Sequence, residues 1–94
     1  AEPMYRRELA GQEEALGPAH ENTLATVGNL ASLLKNQGKL DEAEPLYRRA
    51  LAGKEEALGP AHPTTLRTVN NLALLLDDKG EDAAARELRA AYGV

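Results

Sequence analysis

The 94-residue sequence contains no cysteine, no tryptophan and no phenylalanine, and its aromatic content is limited to three tyrosines. Without cysteine, disulfide bonds and thiolate metal sites are excluded. Cysteine usage therefore gives no information on whether the compartment is oxidising or reducing. With so few aromatic rings, the core must be built mainly from leucine and alanine. The absences therefore favour a protein held together by many small aliphatic contacts.

Long apolar runs are absent as well. No run approaches the roughly 20 residues that a membrane-spanning helix needs, and there is no signal-peptide pattern. The formal net charge of −4 disfavours a nucleic acid or an anionic membrane as the main partner. We therefore expect a cytoplasmic protein that binds neither nucleic acid nor membranes.

What the sequence does contain is an internal repeat with a constant offset of 42 residues. The segment AEPMYRR at 1–7 returns as AEPLYRR at 43–49, and GQEEALGPAH at 11–20 returns as GKEEALGPAH at 53–62. A fixed period of this size is typical of a solenoid, in which each unit buries its apolar face against its neighbours. The chain opens in the middle of a unit, so we expect a fragment of a longer array.

The spacing of apolar residues predicts an all-α fold. No segment alternates with period two, whereas apolar residues recur three or four positions apart between breaks at glycine and proline. We predict five antiparallel helices, joined by short loops into an α-α superhelix. Their expected ranges are 2–16, 21–36, 40–58, 63–79 and 82–91.

We predict one repeat domain over residues 1–94. Its parts are the second helix of a truncated repeat at 1–17, a first full repeat at 20–59, and a second full repeat at 62–94 that ends in a capping helix. The inward stripe of the first helix is predicted to hold Tyr5, Leu9, Gln12 and Leu16. That of the third is predicted to hold Leu40, Ala43, Tyr47, Ala50, Leu51, Ala57 and Leu58.

The second helix carries a further stripe of small residues, Ala25, Gly28 and Ser32. A glycine in mid-helix costs about 1 kcal/mol relative to alanine, so it needs a reason. The stripe indicates either the close approach of a neighbouring helix or room for the backbone of a ligand.

Residues with catalytic or metal-binding chemistry are few. His20 and His62 precede predicted helices in equivalent loops, where helix capping is the favoured role. The adjacent glutamates at 13–14 and 55–56 diverge around a helix and predict a solvated face rather than an acid–base pair. The sequence therefore predicts no enzyme, no cofactor and no metal site.

The repeated pair of helices resembles the tetratricopeptide repeat family, whose signature is W-x2-L-G-x2-Y…A-x3-F. The corresponding residues are Val27, Leu30, Ala31, Leu34, Ala43 and Tyr47, and then Val69, Leu72, Ala73, Leu76, Ala85 and Arg89. The words AEPLYRRAL, LGPAHP and NNLALLL resemble the kinesin light chain type of this repeat, although the period of 42 exceeds the usual value of roughly 34. The heptad-repeat region through which a light chain joins its motor is absent, so motor association does not carry over.

The resemblance implies a right-handed superhelix whose first helices line a concave groove for peptide segments of partners. The implied groove residues are Ala25, Gly28, Ser32, Lys35, Arg67, Asn70, Leu74 and Asp77. Light-chain grooves are associated with acidic peptides, but Lys35 and Arg67 stand near Asp77 and Asp78, which leaves the charge of the ligand open.

The favoured function is a protein–protein interaction scaffold that binds a peptide segment of a partner. The alternative is a structural or self-assembling solenoid spacer whose groove holds no specific ligand. The first helix would lack the partner that precedes it in an array, so we also expect self-association through its exposed face.

Overall fold

The computed structural model describes residues 2–94 and contains five α-helices. They are α1 (Glu2–Leu16), α2 (Glu21–Asn36), α3 (Leu40–Leu58), α4 (Pro63–Asp78) and α5 (Asp82–Tyr92). Extensive contacts join helices that are adjacent in the sequence, α1 with α2 and so on to α5. Within residues 2–94 there is no strand, and the predicted all-α solenoid of helical hairpins is confirmed.

The predicted bounds of the first three helices are confirmed, while α4 ends one residue early and α5 runs one residue further. Ala1, the first residue of the predicted truncated repeat, lies outside the described residues. The division into repeat units stays a prediction. None of the five helices is long and apolar enough to cross a membrane.

The core is formed by small and medium aliphatic side chains, as the composition predicted. Ala43 is fully buried and Tyr47 is 4% exposed, so their predicted inward position is confirmed. The remaining buried apolar residues are Leu9, Leu24, Val27, Leu30, Ala31, Leu34, Ala50, Leu51, Val69, Leu72, Ala73, Leu75, Leu76 and Ala85.

Three predicted core positions are wrong. Leu16 and Leu58, which occupy equivalent places in α1 and α3, are 44% and 42% exposed. Ala57 of α3 is exposed as well. Leu58 lies beside Glu21, the first residue of α2. Because α2 begins there, it does not extend far enough to cover Leu58. Periodicity assigns a face to a residue, but it does not show how far along that face the neighbouring helix reaches.

Helices α2 and α4 begin with the predicted histidine caps. The Nδ1 atom of His20 accepts the backbone N–H of Asn22 at 3.1 Å, and His62 accepts that of Thr64 at 3.1 Å. In both loops the ring nitrogen satisfies a backbone donor that the first turn of a helix leaves without an intrahelical partner. Both imidazoles are therefore used in positioning the helices that flank the site described below.

The same two helices end in the same way. Gly38 has a φ of +79°, and the N–H of the next residue donates to the carbonyl of Leu34 at 2.8 Å. Gly80, with a φ of +81°, allows the equivalent bond to Leu76 at 2.8 Å. This is the Schellman arrangement, which glycine permits because it adopts positive φ without steric cost. The short turns hold each helix antiparallel to the next.

Candidate functional site

A cavity of about 310 Å³ opens between α2, α3 and α4, and we call it the groove. Its lining consists of Leu24, Ala25, Gly28, Asn29, Ser32, Tyr47, Ala50, Lys54, Thr64, Arg67, Thr68 and Asn71. Helices α2 and α4 supply the two walls, and the buried Tyr47 and Ala50 of α3 supply the floor. Its volume is at the lower end of the range for ligand pockets.

The small-residue stripe of α2 faces this open space. A Cβ atom added to Gly28 would meet nothing within 4 Å, so no neighbouring helix approaches closely there. The interpretation of the stripe as a close helix contact is therefore wrong. Beside it, the hydroxyl groups of Ser32 and Tyr47 are hydrogen-bonded at 3.0 Å, which fixes the Tyr47 side chain at the floor of the groove.

Four of the eight predicted site residues line the groove, namely Ala25, Gly28, Ser32 and Arg67. The other four, Lys35, Asn70, Leu74 and Asp77, lie outside its lining. The ammonium group of Lys35 is 3.8 Å from the Asp78 carboxylate, and Arg89 donates to Asp77 at 2.9 Å. The acidic side chains that left the charge preference open are thus paired away from the cavity.

The four outlying positions include three that repeat predicted site positions of α2. Asn70, Leu74 and Asp77 follow Gly28, Ser32 and Lys35 by 42 residues, on α4 instead of α2. Leu74 is 41% exposed, although it is a large apolar side chain. These residues belong to the same face of the solenoid, one repeat further along.

Sequence reasoning missed several groove residues, above all Asn29 and Asn71. Each directly follows a position that was chosen on its helix, and the two are 42 residues apart. That repetition of an amide was a signal available in the sequence. Thr64 and Thr68 in the first half of α4 and Lys54 in the second half of α3 were missed, because their approach to the groove depends on how the helices stack.

The groove carries positive charge without a balancing acid. Lys54 and Arg67 are in its lining, which contains no aspartate or glutamate. Among residues 2–94, neither cation forms a salt bridge. The chain as a whole has a net charge of −4, whereas these two cations without salt bridges make the groove locally positive.

Other cations of the chain are used to join helices. Lys79 donates to Glu44 at 2.6 Å and lies 3.0 Å from Asp41, so a turn residue after α4 is tied to α3. The hydrogen bonds from Lys79 and then Arg48 lower the pKa of Glu44. The same contact with Glu44 raises the pKa of Lys79. These pairs are structural, in contrast to Lys54 and Arg67.

Within residues 2–94, no group of three or more histidine, aspartate or glutamate side chains is arranged to hold a metal ion. The polar groups that reach the groove are two amides, three hydroxyl-bearing side chains of serine and threonine, Tyr47 and the two cations. Such groups donate and accept hydrogen bonds and attract anions. They suit recognition of a polar chain with negative charge.

Comparison with known proteins identifies the family. The tetratricopeptide repeat family model matches residues 1–56 and 24–88, which together cover most of the chain. No curated protein matches the sequence. Tetratricopeptide repeats generally mediate protein–protein interactions, and the family is a non-catalytic repeat scaffold. The chain belongs to the tetratricopeptide repeat family.

Proposed function

We propose that the protein is an interaction scaffold that binds a peptide segment of a partner in the groove. The observation that carries this proposal is the open cavity between α2, α3 and α4. Asn29 and Asn71 line it, and an amide side chain both donates to and accepts from a peptide backbone. An extended segment in the groove would thus keep its backbone groups hydrogen-bonded, which burial requires.

The charge of the lining favours an acidic segment. Lys54 and Arg67 have no acidic partner among residues 2–94, and a carboxylate of the ligand would supply one. The guanidinium of Arg67 suits a carboxylate well, since it donates two parallel hydrogen bonds. Because Arg67 is exposed, this attraction is screened by salt.

A longer segment would continue past Arg67 along α4, where we propose that Asn70, Leu74 and Asp77 extend the site. From Arg67 to Leu74 the helix rises about 10 Å at 1.5 Å per residue, a distance that about three residues of extended peptide cover. Leu74 would act as an apolar anchor with a polar surround. Lys35 would border the other wall.

Within the family, we propose the 42-residue, kinesin light chain-like type, on the constant offset between the two units. We also propose a cytoplasmic, non-enzymatic role, since an interaction scaffold needs no catalytic group.

The experiment that tests the groove uses an array of synthetic decapeptides of equal hydrophobicity and graded net charge. Binding is measured by NMR titration of the isotope-labelled protein, which detects weak complexes.

We expect the acidic peptides to bind and to shift resonances of groove residues, with affinity falling as salt is added. Arg67→Glu should weaken binding at least about tenfold, equivalent to about 1.4 kcal/mol. Arg86→Glu is the matched control, because Arg86 is an exposed cation of α5 outside the groove lining. Equal binding of basic peptides, or an equal effect of the two substitutions, would contradict the proposal.

A second candidate is a self-assembling solenoid. It is favoured by Met4 of α1, which is 71% exposed, whereas its equivalent in α3, Leu46, is partly buried against the core. The outward face of α1 would then contact another copy of the chain. The two candidates are compatible, because the groove lies on other helices.

A further inference from the structure

Resting on the proposed function, we propose that the groove has an adjoining apolar subsite that seats an aliphatic side chain of the same acidic peptide. The subsite is a smaller cavity of about 70 Å³ lined by Glu21, Leu24, Lys54, Ala57 and Leu58. Leu24 and Lys54 also line the groove. One ligand can therefore reach both cavities, with an acidic group and an apolar group on either side of Lys54.

The exposed apolar surface of the subsite comes from the end of α3. Leu58 is 42% exposed although it is a large aliphatic side chain, and Ala57 beside it is exposed too. Covering such surface with an aliphatic group is favourable because it removes apolar area from water. The wall opposite is Leu24, which is nearly fully buried and so holds a defined position.

Gly53 determines the position of the Leu24 side chain. A Cβ atom added to Gly53 would come within 2.6 Å of a terminal methyl group of Leu24. The glycine thus allows Leu24 to lie directly against α3 between the two cavities. At the equivalent Gly11 of α1, an added Cβ would meet nothing within 4 Å. Among the described residues, the close contact is made at Gly53 and not at Gly11.

The size of the subsite selects the side chain. At about 70 Å³ it is roughly half the ~150 Å³ of an engineered apolar cavity that binds benzene. It suits the end of a leucine or valine side chain and is too small for an indole ring. Glu21 borders it, so a second acidic residue placed here would be repelled. The expected ligand carries one aliphatic and one acidic residue in defined places.

The spacing of the two residues follows from the geometry of an extended chain. Residues i and i+2 point to the same side and are about 6.6 Å apart. Because Lys54 lines both cavities, we expect this separation to seat an aliphatic side chain in the subsite while a carboxylate meets Lys54 at the groove. The sequence class is thus aliphatic–any–acidic, read in one of the two chain directions.

The probes are two acetylated, amidated peptides, Ser-Gly-Leu-Ser-Glu-Gly-Ser and its reverse, each with a partner in which alanine replaces leucine. A third version of each carries glutamate in place of leucine. NMR titration should show that, in one direction, the leucine peptide binds at least about fivefold tighter than the alanine peptide, a difference of about 1 kcal/mol. The version with two glutamates should bind no better than the alanine peptide.

Leu58→Ser should remove the preference for leucine and leave the affinity of the alanine peptide unchanged. Leu16→Ser is the matched control, because Leu16 is the equivalent residue of α1, is as exposed, and lies outside both cavities. Gly53→Ala should reduce the preference by displacing Leu24, with Gly11→Ala as its control. The dispersion of the amide resonances verifies that each variant is folded.

The results separate the two proposals. Equal binding of leucine and alanine peptides, with both weakened by Arg67→Glu, would overturn the subsite and leave the groove in place. A leucine preference that survives Leu58→Ser and Gly53→Ala in folded protein would likewise overturn the subsite. If no peptide of either direction bound, the subsite would fail, and the decapeptide titration would decide separately whether the groove binds an acidic segment.

Discussion

Tyr47 is the one aromatic residue that is buried among residues 2–94, and it connects the core with the groove. Its ring packs with Ala43 and the aliphatic core, while its hydroxyl group reaches Ser32 of α2 at 3.0 Å. The rest of the buried apolar core is aliphatic, so Tyr47 is its largest side chain. The floor of the groove therefore depends on a core residue.

Tyr47→Ala should lower the free energy of unfolding by about 3–5 kcal/mol, as truncation of large buried side chains does. Urea denaturation followed by circular dichroism measures it. Tyr5→Ala is the matched control, since Tyr5 is the equivalent residue of α1 and is only partly buried. A loss at position 47 below about 1 kcal/mol, or one equal to that at position 5, would show that the assigned packing is wrong.

Leu74 tests the proposed extension of the site along α4. It is 41% exposed, so Leu74→Glu should change the melting temperature little, within the about 0.5 kcal/mol typical of surface substitutions. If Leu74 anchors a ligand, the same change should weaken the binding of acidic decapeptides at least about tenfold. Calorimetric scanning and NMR titration of one sample measure both effects.

Ala83→Glu is a control for the added charge, because Ala83 is exposed on α5 and lies outside the proposed site. Unchanged binding of Leu74→Glu, or a reduction equal to that of the control, would remove Asn70, Leu74 and Asp77 from the site. Unfolding by Leu74→Glu would instead make Leu74 a packing residue.

At the scale of helices, two similar charge clusters tie successive elements together. In the first, Glu2 of α1 accepts from Arg6 at 2.9 Å and from Lys39 at 3.2 Å. In the second, Glu44 of α3 accepts from Arg48 at 2.9 Å and from Lys79 at 2.6 Å. In both, an (i, i+4) pair on one helix is joined by a lysine from the turn after the next helix. The first cluster holds the turn after α2 against α1, and the second holds the turn after α4 against α3.

The second cluster predicts a dependence of stability on pH. Contact with Lys79 and Arg48 lowers the pKa of Glu44 below its ordinary value of 4.5 in the folded chain. Its contribution is therefore complete above pH 4.5 and is lost as the pH falls through the lower folded value. Lys79, whose pKa is raised above 10.5, keeps its contribution below that pH and loses it only under more alkaline conditions.

Glu44→Gln should therefore flatten the decline of stability as the pH falls below 4.5, because the pKa of the Glu44 carboxylate is lowered in the folded chain. Urea midpoints measured across this range give the slope for each protein. Glu56→Gln is the control, because Glu56 is exposed on the same helix and has no salt bridge among the described residues. Equal slopes for the two variants would assign the acid sensitivity to other carboxylates.

At the scale of the whole molecule, solenoid repeats gain stability from stacking on neighbours, and three or more are normally needed. The face of α1 around Met4, which is 71% exposed, is not covered by the described residues of this chain. We expect copies of the chain to associate through this face. Closed dimers would bring the same patch of each copy together, whereas head-to-tail stacking would continue the solenoid.

Sedimentation velocity at micromolar concentrations should show a concentration-dependent increase in mass. Met4→Glu should abolish it, because a buried carboxylate without a partner is strongly unfavourable. Leu16→Ser, on the same helix but at its last turn, should leave it intact. A monomer at every concentration would contradict self-association and would remove the second candidate function.

The helices were predicted from the sequence more completely than the groove was. The helices were predictable because glycine, proline and histidine mark their ends and act within a few residues of where they stand. The groove was only half predictable. Ala25, Gly28, Ser32 and Arg67 line it, but Asn70, Leu74 and Asp77 do not, because a cavity needs a neighbour on both sides. For residues on α4, periodicity indicates the exposed face without showing what stands opposite.

The sequence alone determined what depends on local rules and on repetition. It determined five helices, their caps at His20 and His62, the aliphatic stripes and the offset of 42 residues, because backbone hydrogen bonding and side-chain period are short-range properties. Only the tertiary structure decided which polar groups share a space. It paired Asp77 and Asp78 with cations outside the groove, left Lys54 and Arg67 within it, and pressed Leu24 against Gly53 but nothing against Gly11. These outcomes depend on the rotation and stacking of whole helices, which residues far apart in the chain determine together.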